Sequence, residues 1–224
     1  MLISEKTLMF LGENRLRDSR DWFDAHKSDY KELVEAPLLA LSQEVGEKIA
    51  HIDPAMSLTP RKTLSRIWRD VRFSRDKTTF REEVWLVFRR GKGMEYPALF
   101  FEFSPVQWRY GVGYYSAPTK VMARIRELVL ADDRRYIAAQ KALDKLEGFG
   151  IEGELYKRPR HQDQPAHKRE WLERKGFAVI HNENEAGVLF TEKLADTLVK
   201  AFEDLAPIYN FLVEIHSKFA EEDA

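Results

Sequence analysis

The sequence VWLVFRRGKGMEYPALFFEFSPVQWRYGVGYYS, residues 84–116, contains three runs dense in aromatic and branched side chains: Val84–Arg89, Ala98–Ser104 and Val106–Ser116. Gly91-Lys92-Gly93 and Pro105 separate them. Such residues end strands, because glycine admits turn conformations and proline donates no ladder hydrogen bond. The connections are too short for the crossover that parallel neighbours need, so the three runs are predicted to pair antiparallel.

On both sides of these runs the apolar pattern becomes helical. Toward the N-terminus, Ser4 precedes a short pattern (Leu8, Leu11) that stops near Gly12. Ser19 is an N-cap candidate that places Asp21 in the first turn of a helix carrying Trp22, Phe23, Tyr30 and Val34. Pro37 interrupts, and Leu38, Leu41, Val45 and Ile49 mark a third helix. Thr59-Pro60 reads as a cap with proline at the first helical position, and Leu64, Ile67, Trp68 and Val71 follow at i, i+3, i+4 and i+7, which predicts a further helix. Toward the C-terminus, Pro118 opens a helix, Asp132 caps another, and Phe177–His181 is a brief strand. Thr191 then caps a long acidic helix that Pro207 breaks. Strands clustered between groups of helices predict an α+β fold: an antiparallel sheet of three or more strands packed against several helices, with helical N- and C-terminal segments.

With 224 residues, 44% of them hydrophobic, the chain has room for a sizeable core and reads as a single domain over 1–224. The absence of cysteine excludes disulfides, a catalytic thiolate and thiolate metal sites, and fits a reducing compartment. Glu5 and Lys6 interrupt what a secretory signal would need to be an apolar run, and no apolar stretch approaches the ~18 residues of a membrane span. A cytoplasmic protein without a membrane partner is expected. Nothing in the sequence reports its oligomeric state.

The net charge of -1 conceals a segregation. Residues 61–92 hold eleven basic and four acidic side chains, a balance of +7, whereas residues 183–224 hold ten acidic and three basic ones, a balance of -7. Residues 154–175 carry +3. Such asymmetry can mark an anionic partner, or the opposite charges can meet and cancel within the fold.

The densest feature is Arg66-x-x-Arg69-Asp70-x-Arg72-Phe73-x-x-Asp76-Lys77. Guanidinium groups are planar forks suited to gripping phosphate or carboxylate, and an aspartate among them can hold a fork in one orientation. Arg66, Arg69, Arg72 and Lys77, with Lys157 and Arg158 from the second basic stretch, are therefore candidate anion ligands. Asp70 and Asp76 are candidate orienting groups, since carboxylates beside arginine are held ionised and are poor proton donors. Trp22, Phe23, Lys27 and Phe73 are candidate pocket walls. The same residues can instead form an internal ion-pair network. The six histidines show no metal-binding spacing, and no P-loop, G-x-S-x-G or G-x-G-x-x-G occurs; Gly111-x-Gly113 lies inside a predicted strand. No metal, cofactor or catalytic residue is implied, and whether the protein is an enzyme stays open. Aromatic residues interleave with basic ones along the strands, which suits either stacking on single-stranded nucleic acid or the core of the sheet.

The Arg66 to Lys77 pattern resembles the signature of the domain-of-unknown-function 2461 family, bacterial and fungal proteins of similar length. Arg20-Asp21-Trp22-Phe23-x-x-x-Lys27-x-x-Tyr30 is similar to that family's N-terminal element. Gly111-x-Gly113-Tyr114-Tyr115 with Pro118 and Ile125-Arg126 resembles its strand-to-helix turn, and Leu155-x-Lys157-Arg158 through Lys175-x-Phe177 its later segment. The resemblance implies a family-like core over about residues 10–212 and no substrate, the family's activity being unassigned. The chain departs from the family in having Thr79-Phe80 where Pro-Tyr is usual, so that tyrosine hydroxyl has no counterpart. It also departs in its Arg160 to Pro165 loop.

Three functions stay open: binding, with or without turnover, of a small phosphate- or carboxylate-bearing ligand; a nucleic-acid module; and a structural or protein-interaction domain whose Arg/Asp cluster is internal.

Overall fold

The computed structural model describes residues 2–72, 75–91 and 93–222. Helices α1 (Glu5–Arg17), α2 (Arg20–Ala25) and α3 (Lys27–Tyr30) lead through a π-helical turn, Lys31–Glu35, into α4 (Ala36–Ile49). A single turn, α5 (Pro60–Thr63), precedes strands β1 (Val84–Arg89), β2 (Ala98–Phe103) and β3 (Trp108–Gly113). Then come α6 (Thr119–Leu130), α7 (Arg134–Leu143), β4 (Phe149–Glu152), α8 (Ala166–Leu172), β5 (Ala178–Glu183), a 3-10 turn and α9 (Lys193–Glu222). The five strands form an antiparallel sheet in the order β1-β2-β3-β5-β4, and helices stand at both ends of the chain, so the fold is α+β. No helix among the described residues is long and apolar enough to cross a membrane.

The three aromatic runs become β1, β2 and β3. Ser4 begins α1 with a reciprocal pair of cap hydrogen bonds involving Thr7, and the Ser19 hydroxyl accepts from the Trp22 N–H at 3.3 Å to begin α2. Other expectations need correction. The helix expected to run on from Pro60 stops at Thr63, and residues 64–69 are extended, running antiparallel to 79–86. The Ser65 N–H donates to the Trp85 carbonyl, the Arg81 N–H to the Ile67 carbonyl and the Arg69 N–H to the Thr79 carbonyl, each at 2.9 Å. Distant pairing thus overrides a helical spacing that was coincidental. Pro37 lies in the first turn of α4, where its missing N–H costs nothing, and the helical path continues through it. Asp133, not Asp132, caps α7; its carboxylate accepts from the Arg135 N–H at 2.9 Å. Pro207 stands inside α9, which continues through it, and Leu205, Ile208 and Tyr209 around it are fully buried.

The chain forms two compact units. One gathers residues 1–88, 100–109 and 182–200; the other gathers 89–99, 110–181 and 201–224. In the first, Phe23, Trp68 and Phe80 pack as an aromatic cluster with ring centroids 4.5–5.3 Å apart. Val84, Leu86 and Phe88 alternate inward along β1, and α1 turns Thr7, Phe10, Leu11 and Asn14 inward. In the second unit, Trp171 stacks on Phe177 at 4.3 Å and meets Tyr136 edge-on. Gly111 and Gly113 belong to β3, where the chain of β5 comes so close that a Cβ on Gly111 would lie 2.1 Å from the Val179 carbonyl oxygen. Close strand approach, not a nucleotide loop, is what these glycines serve.

Candidate functional site

Beyond the pairing of residues 64–69 with 79–86, residues 70–72 and 75–78 of the arginine signature lie outside the strands, in the loop that leads from one paired segment to the other. Asp18, a left-handed residue with φ 44° at the end of α1, anchors that loop: its Oδ1 accepts from the Thr79 N–H at 2.6 Å and from the Phe80 N–H at 3.2 Å. Aspartate tolerates this backbone better than most residues, which leaves its carboxylate aimed at the loop. The end of α1 is thereby tied to the loop.

Asp76 is the centre of the cluster. It accepts from Arg15 Nη2 of α1 at 2.8 Å, from Arg69 Nη1, and from the Thr78 N–H and hydroxyl at 3.0 and 2.7 Å. These bonds, those from Thr78 foremost, hold its carboxyl well below the usual carboxylate range. Arg69 Nη1 also donates to the Thr78 hydroxyl at 3.0 Å. Two guanidiniums from separate elements therefore converge on one carboxylate.

Within this arrangement three buried polar atoms have no partner among the described residues: Arg15 Nη1 and both the Nδ2 and Oδ1 of Asn14. Asn14 is fully buried on the inward face of α1, next in sequence to Arg15. A buried unpaired amide or guanidinium atom is costly, and native proteins seldom leave one unless water or a ligand completes it.

The other expected site residues are dispersed. Asp70 and Arg72 grip one another, the carboxylate accepting from Arg72 Nε at 3.0 Å and Nη2 at 2.7 Å, and this fork lowers the Asp70 pKa to about 2. Both are exposed. Lys77 donates from Nζ to the Val71 carbonyl at 2.9 Å. Arg66 is exposed on the extended segment. Phe23 is core, whereas Trp22 is half-buried, stacked on His26 at 4.2 Å with Arg17 over its ring. Lys27 is exposed on α3. Phe73 lies outside the described residues. Lys157 and Arg158 are exposed residues of the second unit.

A family model described as "Conserved hypothetical protein (DUF2461)" matches residues 6–211. The chain belongs to the DUF2461 family. The Arg15, Asp18 and Asp76 cluster thus falls inside the part of the chain that defines DUF2461 membership. None of the curated proteins compared with it matches.

Reading the DUF2461 sequence alone misses Asn14, Arg15, Asp18 and Thr78. Asn14 carries a detectable signal, a polar residue at helical spacing from Thr7, Phe10 and Leu11 on the buried face. Arg15, Asp18 and Thr78 carry none, because what assembles them is the long-range docking of α1 on the loop.

Proposed function

We propose that this member of the DUF2461 family binds a small ligand through a phosphate or carboxylate group at the Arg15, Arg69 and Asp76 cluster. The observation that carries the reading is the buried Arg15 Nη1, a charged donor with no partner among the described residues, beside a carboxylate already shared with Arg69. A guanidinium so placed is held in one orientation by Asp76 through Nη2 and still has Nη1 to give. An oxyanion accepting from it would satisfy the buried donor and balance the second positive charge. Asp76 positions, because a carboxylate kept so acidic stays ionised and holds no proton to donate. The lack of cysteine suits the reducing conditions of the cytoplasm, where we place the protein.

A second reading, an internal ion-pair network that only shapes the loop, is favoured by the way Asp70 closes on Arg72 and Asp76 on Arg69. Nucleic-acid binding has less support, because Phe101, Phe103, Trp108, Tyr110 and Tyr114 are buried and offer no faces for bases. Calorimetric titration with inorganic phosphate and with acetate separates the readings: saturable binding that Arg15→Gln removes supports the ligand site. Lack of binding, with a folded Arg15→Gln protein of lowered Tm, supports the network.

A further inference from the structure

The second unit holds a group of side chains separate from the Arg15 cluster, on the segment 154–162, on α8 and on residues 173–175 that follow α8. The segment is basic, carrying Lys157, Arg158 and Arg160. Backbone bonds tie its start to the chain beyond the helix: the Tyr156 N–H donates to the Glu173 carbonyl at 2.9 Å, and the Lys175 N–H to the Glu154 carbonyl at 2.7 Å. Farther along, the Glu173 carboxylate accepts from the Arg160 N–H at 2.8 Å and from the His161 N–H at 2.5 Å. Arg126 of α6 joins the two sides. Its Nε donates to the Leu172 carbonyl at 3.2 Å, and its Nη2 to the Arg174 carbonyl at 2.8 Å and the Tyr156 hydroxyl at 2.7 Å. The Arg126 and Arg160 guanidiniums also stand over the Tyr156 ring, 5.1 and 3.8 Å from its centroid. Segment and helix are thus fixed against one another before any ligand arrives.

Between them lies an open cleft of about 380 Å³. Ligand clefts span roughly 300–1,000 Å³, so this one has the size of a small molecule. Its apolar lining is Leu155, Pro159 and Ala166, all exposed, Leu155 to 55%. Its two acids are already engaged. Glu173 holds the Arg160 and His161 N–H groups, and Glu170 Oε2 accepts from Arg174 Nη2 at 2.7 Å. Arg169 and Gln162 belong to the same lining, and the side chain of neither has a partner among the described residues. Exposed apolar surface in a preformed cleft, beside one uncommitted guanidinium and one uncommitted amide, suits an anion with an apolar body.

We propose that the cleft between 155–162 and α8 is a binding site for a small organic carboxylate, an apolar body bearing one carboxylate group. The body covers Leu155, Pro159 and Ala166, the Arg169 fork grips the carboxylate, and the Gln162 amide donates a further hydrogen bond. One guanidinium balances a monoanion, whereas a phosphate dianion would bring a second charge against Glu170 and Glu173. Lys157 and Arg158, exposed on the same segment, draw anions toward the cleft, an effect that salt screens. Arg126 and Tyr156 are positioning residues that keep the walls in place.

The test is an NMR titration of the isotope-labelled whole protein with hexanoate at constant ionic strength, read at the backbone amides of Leu155, Gln162 and Arg169. Saturable shifts are expected at all three. Acetate, which has the charge without the body, and hexanol, which has the body without the charge, should each half-saturate at a concentration about tenfold higher or more. Arg169→Gln should raise the half-saturation by hexanoate about tenfold and leave distant resonances unchanged, because its side chain has no partner to lose. Ala166→Phe fills the cleft and should abolish the shifts. Arg15→Gln should preserve them, which keeps this site distinct from that of Arg15. The proposal is overturned by the absence of saturable hexanoate shifts at these amides, by half-saturation that Arg169→Gln leaves unchanged, or by hexanol or acetate matching hexanoate. Hexyl phosphate binding more tightly than hexanoate would overturn the carboxylate assignment.

Discussion

Arg15 on α1 and Asp76 in the hairpin loop, sixty-one positions apart in the chain, meet at 2.8 Å between Nη2 and Oδ2. Neither residue belongs to a local motif that contains the other. Their pairing exists because α1 docks on a loop whose own arginine, Arg69, claims the same carboxylate. The fold thus supplies a charged donor with one nitrogen held and one unused.

Asp18 is the residue that this docking depends on. Replacing it by alanine removes the acceptor of both the Thr79 and Phe80 N–H groups and puts a β-carbon residue without a polar side chain into left-handed backbone. Asp18→Ala should destabilise by about 1–3 kcal/mol. Asp18→Asn keeps an acceptor and tolerates that backbone, so it should lose less. Chemical denaturation of the two variants checks the order.

Phe80 is fully buried and packs on both Phe23 and Trp68. Phe80→Ala should cost about 3–5 kcal/mol, as large-to-small changes of a buried aromatic do. Trp68 fluorescence should change in the same variant, because it loses the ring 4.5 Å from its own.

The glycines of the sheet make opposite predictions. Gly111→Ala would drive a methyl group into the Val179 carbonyl, 2.1 Å from the Cβ position, and should severely lower Tm or prevent folding. Gly150 on β4 has nothing within 4 Å of that position, so Gly150→Ala should leave Tm nearly unchanged. Thermal unfolding of both variants decides it.

Acid should destabilise the protein in two stages. Burial lowers the His216 pKa from its ordinary 6.5, so the unfolded chain takes up that proton at a higher pH than the folded one, and stability falls as pH drops below about 6.5. Asp70, held at about 2 chiefly by its bonds from Arg72, and Asp133, held at about 2 chiefly by those from Arg135, act lower down. Their folded forms release protons that unfolded carboxylates bind, so their contribution is present above about pH 4 and lost on the way to pH 2. Stability measured against pH should show His216→Phe flattening the first limb and Asp133→Asn the second.

The aromatic runs of 84–116 were legible as strands because breakers bound them and β1 alternates inward and outward, and Ser19 was legible as a cap because its bond is local. The extended segment 64–69 was not, because Leu64, Ile67, Trp68 and Val71 share a helical spacing by coincidence while the partner that holds them, 79–86, lies beyond a loop. Trp68, 38% exposed, is not the core face of a helix at all. Strand β4 was hidden by its length and by Gly148 and Gly150, and it stands through its pairing with β5. Of the candidate site, Arg69 and Asp76 were legible from the density of the motif, whereas Arg15 and Asn14 needed the docked helix.

The cluster of Arg15, Arg69 and Asp76 is tested most directly by calorimetric titration of the wild-type and Arg15→Gln proteins with inorganic phosphate and with acetate, each protein first shown to be folded by its circular dichroism. Saturable heat in the wild type with at least one of the two anions, removed by Arg15→Gln, is the predicted result. Equal binding by both proteins, or no binding by either together with a lower Tm for Arg15→Gln, would contradict it and leave the arginines as an internal network.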